Sequence, residues 1–89
     1  MIASSVTIVN KLGLNARAAS RLVNCASGFA SDIRLVKDAR SVNGKSIMGV
    51  LTLAASRGTE LTVEADGADE QRALEAVMSL IAERFGEEE

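Results

Sequence analysis

At 89 residues and 9.3 kDa, the chain has room for one domain, with a core limited to about 60–65% burial of the unfolded surface. Hydrophobic residues make up 47% and charged residues 25%, which excludes a solvated, disordered chain. Ten basic against twelve acidic residues give a net charge of −2, and Phe29 and Phe85 are the only aromatics, so neither electrostatic nucleic-acid binding nor base stacking is indicated.

Val6 and Ile8 alternate with Thr7, predicting a first strand from Ser4 to Val9. Asn10-Lys11-Leu12-Gly13-Leu14 breaks that pattern, and from Asn15 the period changes. Ala19, Leu22, Val23 and Ala26 fall at i, i+3, i+4 and i+7, one apolar face of a helix. Asn15 suits its N-cap, and Gly28, followed by Phe29, sits where a left-handed C-terminal residue belongs. Ile33 and Leu35 alternate with Asp32 and Arg34 as a second strand, Asp38-Ala39 is a turn, and Arg40 to Asn43 is a third strand. After the break at Asn43-Gly44-Lys45, Ser46 caps a second helix whose apolar face is Ile47, Val50, Leu51 and Ala54. Leu61, Val63 and Ala65 alternate with Glu60, Thr62 and Glu64 as the fourth strand. Asp66-Gly67 turns the chain into a last helix from about Asp69, where Leu74, Val77, Met78, Ile81 and Phe85 keep the period until Gly86. Glu87-Glu88-Glu89 reads as a frayed, solvated end.

The order β-α-β-β-α-β-α, with half-apolar strands and one-sided helices, predicts an α+β open-faced β-sandwich. A four-stranded antiparallel sheet carries three helices on one face, in a single domain over residues 1–89. Thr7, Arg34, Thr62 and Glu64 belong on the wet face opposite.

Both shorter helices start with a capping side chain behind a glycine-containing loop, leaving free amides at the positive end of a dipole. Arg17 and Arg21 lie in the opening turns of the first, and Lys45 stands beside Ser46 at the second. That spacing suits a phosphate at each start, and it equally suits plain capping with solvated basic residues nearby. Cys25 has no partner cysteine and reads as a small packed residue in a reducing compartment. Asp66, Asp69 and Glu70 favour a helix dipole, not a metal. No paired carboxylates, Ser-His or Cys-His set or phosphate-binding glycine loop is present, so no metal or cofactor is implied. The opening MIASSVTIVN has no signal-peptide pattern, and the longest largely apolar run, Val50 to Ala55, is far below the roughly 20 residues of a membrane span. The expected location is the cytoplasm, without membrane insertion.

The stretch Lys11 to Ala19, containing G-L-N-A-R-A, resembles the active-site loop G-L-H-A-R-P of the histidine-containing phosphocarrier (HPr) family of the bacterial sugar phosphotransferase system. Ser41 to Val50 resembles the regulatory-serine motif of the same family, and the likeness covers essentially the whole chain. The family relays a phosphoryl group from enzyme I to sugar-specific A domains on the Nδ1 of a histidine, at the position that Asn15 holds here. An imidazole is a neutral nucleophile near neutral pH, whereas a carboxamide nitrogen has its lone pair delocalised into the carbonyl. The chain contains no histidine at all. Ala18 stands where the family has proline, a milder change. The resemblance therefore implies a carrier site at Asn15 and Arg17 that is silent in the relay. It also implies partner docking through Arg17, Arg21, Lys45, Ile47, Met48 and Leu51, and a Ser46 open to a serine kinase and phosphatase. Asn15 fits an engineered replacement in an ordinary carrier, and it fits a natural regulatory paralogue acting through Ser46. A small acyl-phosphate hydrolase, which also uses an Arg and an Asn, is the remaining alternative.

Overall fold

A computed structural model describes all 89 residues. The elements are β1 (Ile2–Thr7), α1 (Ala16–Ser27), β2 (Asp32–Lys37), β3 (Arg40–Asn43), α2 (Ile47–Thr52), β4 (Glu60–Asp66) and α3 (Glu70–Ala82), followed by a 3-10 turn at Arg84–Gly86. The strands make one sheet in the order β1-β4-β2-β3. All its neighbours are antiparallel, with β4 paired to β1 from Ile2↔Ala65 to Thr7↔Glu60 and to β2 from Asp32↔Asp66 to Val36↔Thr62. The period of two places Leu61, Val63 and Ala65 of β4 under the helices at 0–1% exposure. On the open face the register sets Arg34 across from Glu64, an opposite-charge pair that favours this alignment. α3 crosses β1 and β4, α2 lies against β3, and α1 packs on both other helices. Eighteen buried apolar residues form one continuous core between the two layers, the predicted open-faced architecture.

Several local expectations are corrected. β1 runs from Ile2 to Thr7, two residues earlier than the sequence predicts, because β4 extends to Asp66 and offers Ile2 a partner in Ala65. Ile8 lies beyond the strand yet is fully buried, its amide donating to the Thr59 carbonyl at 2.9 Å. Gly28 is right-handed, at φ −76° and ψ −5°. Its amide and that of Phe29 reach back three residues to Cys25 and Ala26, both at 3.2 Å, so α1 closes in a tight 3-10-like turn. α2 has only six residues, which leaves Ala54 outside it, exposed and left-handed at φ +48°, while Leu53 takes the buried place at 2% exposure. The end of α3 also differs. The helix stops at Ala82, and Arg84 and Phe85 adopt φ +60° and +55°. That reversal buries Phe85 to 1% exposure and turns the chain back toward the start of α1. The acidic end is consequently not frayed. The amide of Lys11 donates to the Glu89 carbonyl at 2.5 Å, and Asn10 Nδ2 donates to Glu87 Oε1 at 3.0 Å.

Candidate functional site

The loop between β1 and α1 is held from below before it presents anything. Asn10 is fully buried, and its Nδ2 bridges the Gly13 carbonyl at 2.9 Å as well as Glu87. Gly13 has φ +66°, and a Cβ there would stand 2.5 Å from the Ala55 carbonyl oxygen, so only glycine fits this close approach. Leu14 is buried and its amide donates to that same Ala55 oxygen at 2.8 Å. The chain thus arrives at Asn15 in extended conformation, φ −78° and ψ 179°, ready to start a helix.

Asn15 Oδ1 accepts the Ala18 amide at 2.9 Å, and the Asn15 carbonyl accepts the Ala19 amide at 2.8 Å. The amides of Ala16 and Arg17, the first two of the helix, keep no partner in the chain. Arg17 is exposed and belongs to none of the ion pairs, which join Met1 to Asp66 and Glu70, and Lys11 to Glu89. Asn15, Arg17, Lys11 and Leu12 border an open hollow of about 640 Å³ whose far wall is Gly86 to Glu89. Free amides, the helix dipole and a guanidinium make this a place for an anion. The side chain at the cap itself, Asn15, is a carboxamide and no useful nucleophile.

The structure separates the predicted cations. Arg17 is free, whereas Arg21 is half-buried and its guanidinium donates to the Phe85 carbonyl, clipping the end of the chain to α1. Lys45 is likewise engaged, with Nζ on the Phe29 carbonyl at 2.7 Å, where it satisfies the turn that ends α1. Ser46 caps α2 as predicted, its Oγ accepting the Gly49 amide at 3.1 Å. From that cap, Ile47 at 40% and Met48 at 71% exposure stand outward with half-buried Leu51 beside them. Because α2 packs on α1, this apolar ridge and the Asn15–Arg17 hollow belong to the same helical layer. Burial pushes the Cys25 thiol upward, which keeps it protonated and unreactive.

Sequence reasoning overlooked the part played by Asp69. It precedes α3 but makes no capping bond to it. Its carboxylate instead accepts the amides of Ala30 and Ser31, both at 2.9 Å, and the Ser31 hydroxyl at 2.5 Å. An acidic residue at a helix start carries no sign of a partner 38 positions away.

A family model described as "PTS HPr component phosphorylation site" matches residues 2–83. The chain is 49% identical to the phosphocarrier protein HPr of Cupriavidus necator over the full length of both. It is 47% identical to the HPr-like protein Crh of Bacillus subtilis, over 93% of this chain and 98% of that one. Among solved structures, HPr-C-His from Thermoanaerobacter tengcongensis superposes with a TM-score of 0.96 at 44% identity, covering 100% of both chains.

Proposed function

The chain belongs to the HPr family of phosphocarriers, and on that premise we propose that it docks with phosphotransferase partners while being silent in the phosphoryl relay. The observation that carries this reading is Asn15 at the start of α1. It keeps the cap, with Oδ1 on the Ala18 amide at 2.9 Å, beside an unpaired Arg17. In the family's reaction a phosphoryl group leaves enzyme I for a ring nitrogen at this position. Here it meets donors suited to stabilise it and a carboxamide that cannot accept it. In this reading the whole chain, residues 1–89, acts as one cytoplasmic domain that carries no cofactor.

Enzyme I and the sugar-specific A domains are the partners of this reading. Arg17 supplies steering charge, and Ile47, Met48 and Leu51 supply apolar area. Arg21 and Lys45 contribute indirectly, Arg21 by clipping the Phe85 turn to α1 and Lys45 by satisfying the turn that ends α1, since both cations are already bonded within the chain. An interface of this kind is small, near or below about 1,200 Å². Met48→Asp, at a site 71% exposed, is expected to weaken enzyme I affinity by about fivefold or more in calorimetric titration. Unchanged affinity would remove the ridge from the docking surface.

A second reading is supported by the likeness to the HPr-like protein Crh, which is about as similar as the HPr relatives are. In it, Ser46 is the working residue, modified by a serine kinase and restored by a phosphatase. Membership of a carrier family argues against the acyl-phosphate hydrolase, and the purified chain is expected to leave acetyl phosphate intact.

A further inference from the structure

We propose that Asn43–Gly44, between β3 and α2, is a modification site at which the Asn43 side chain loses its amide through a succinimide. The fold holds this reaction in check until the junction opens. The chemistry begins in the sequence. Asn10, Asn15, Asn24 and Asn43 precede Lys11, Ala16, Cys25 and Gly44 in turn. Ring closure brings the backbone nitrogen of the following residue onto the side-chain carbonyl carbon, and only glycine puts no Cβ in the way. Asn43 is exposed, so base and water reach it.

The structure favours one reacting group and restrains the other. Asn43 Oδ1 accepts the Lys45 amide at 2.9 Å, a donor placed to stabilise the negative charge that arises on this oxygen when the carbon is attacked. The attacking atom is held elsewhere. Gly44 is buried, and its amide donates to the Ile33 carbonyl at 2.7 Å, which keeps the proton on and the nitrogen aimed at β2. The Ser46 amide closes the turn on the Asn43 carbonyl at 3.1 Å.

When the Gly44–Ile33 bond opens and base removes the amide proton, the Gly44 nitrogen bonds to Asn43 Cγ. The bond from Cγ to Nδ2 then breaks, and ammonia leaves with a proton from solvent. Water opens the ring at Cγ to give aspartate, or at the Asn43 backbone carbonyl to give isoaspartate. Water is consumed and ammonia released, with no change of oxidation state. Aspartate preserves the backbone. Isoaspartate inserts a side-chain carbon into the main chain beside Gly44, where even a Cβ would stand 2.8 Å from Ile33 Cγ2. That insertion disrupts the turn leading to the Ser46 cap of α2.

The test incubates the full chain at mildly alkaline pH, folded in buffer and unfolded in guanidinium chloride. Mass spectrometry follows the replacement of amide by acid, and fragmentation locates it. Asp66–Gly67 can pass through the same ring, but without a change of mass. Native-state hydrogen exchange at the Gly44 amide measures how often the restraint opens. In denaturant, Asn43 is expected to convert well ahead of the other three asparagines. In the folded chain its rate should fall by the protection factor of the Gly44 amide, the two agreeing within about threefold. The isoaspartyl fraction, separated by ion exchange, should melt below Asn43→Asp, which stands for the other product. Conversion led by another asparagine, or none in denaturant, overturns the site. Equal rates in the folded and unfolded chains, or a folded rate that departs from the Gly44 protection in either direction, overturn the restraint. An isoaspartyl fraction that melts like Asn43→Asp overturns the disruption of the cap.

Discussion

At the scale of single residues, Asp69 carries more of the fold than its position before α3 suggests. The Ser31 hydroxyl and the Ala30 amide hold its carboxyl down to about 2, well under the usual carboxylate range. A folded pKa below the unfolded one means that its stabilisation is fully present above about pH 4 and is lost as pH falls toward about 2. Asp69→Asn is expected to lower the melting temperature at neutral pH and to flatten the acid limb of stability between those values. Thermal melts at neutral and acid pH check both, and an unchanged acid limb would show that another carboxylate governs it. Gly13 makes a second single-residue case. Its φ of +66°, together with the 2.5 Å that would separate an added Cβ from the Ala55 oxygen, combines left-handed strain with backbone collision. Gly13→Ala should cost at least about 2 kcal/mol by denaturant unfolding. A loss under about 0.5 kcal/mol would mean that the loop between β1 and α1 gives way easily.

At the scale of elements, α2 shows what a cap can and cannot do. Six residues are too few to hold a helix by propagation, so Ser46 at its start and the packing of Val50 on the core decide whether it forms. Ser46→Ala should cost about 0.5–2 kcal/mol, whereas Ser46→Asp keeps the cap and adds charge. Unchanged stability with weaker enzyme I binding in Ser46→Asp marks a charge switch; unchanged binding as well reduces Ser46 to a cap. Just beyond, Ala54 is left-handed at +48° and exposed. Ala54→Gly should therefore raise stability by up to about 1 kcal/mol, and a loss on denaturation would contradict that strain. Ala54 also shows where periodicity misleads. It occupies the i+7 place of a helix that ends two residues earlier, and nothing local announces the stop. Phe85 misleads in the same way, since it is buried on the right face by a reversal through Arg84 and Phe85 itself, not by a continued α3. The caps at Asn15 and Ser46, the strand alternations and β3 from Arg40 to Asn43 were legible because each depends on residues within four positions.

At the scale of the whole molecule, the candidate site forms where the β1–α1 loop meets the returning segment Gly86 to Glu89. The order of elements pointed to the open sandwich, because one-sided helices leave only one face of the sheet to cover. The Asn15–Arg17 part of the site was legible in the G-L-N-A-R-A stretch. The division of labour among the cations was not, since Arg21 meets Phe85 across 64 positions and Lys45 meets Phe29 across 16. Nor was the return of Glu87–Glu89 to Asn10 and Lys11, which the charge run alone assigns to solvent. These long-range bonds leave Arg17 as the one predicted cation without a partner in the chain; in the proposed reading it stands beside a residue that can position a phosphoryl group and cannot accept it.

In the proposed reading, this carrier surface fails only for want of a nucleophile at Asn15. The decisive measurement is labelling with radioactive phosphoenolpyruvate and enzyme I, run side by side on the unsubstituted chain and on Asn15→His. Acid-labile label is expected on Asn15→His and none on the unsubstituted chain. Acid-labile label on the unsubstituted chain, or none on a folded Asn15→His, would contradict it.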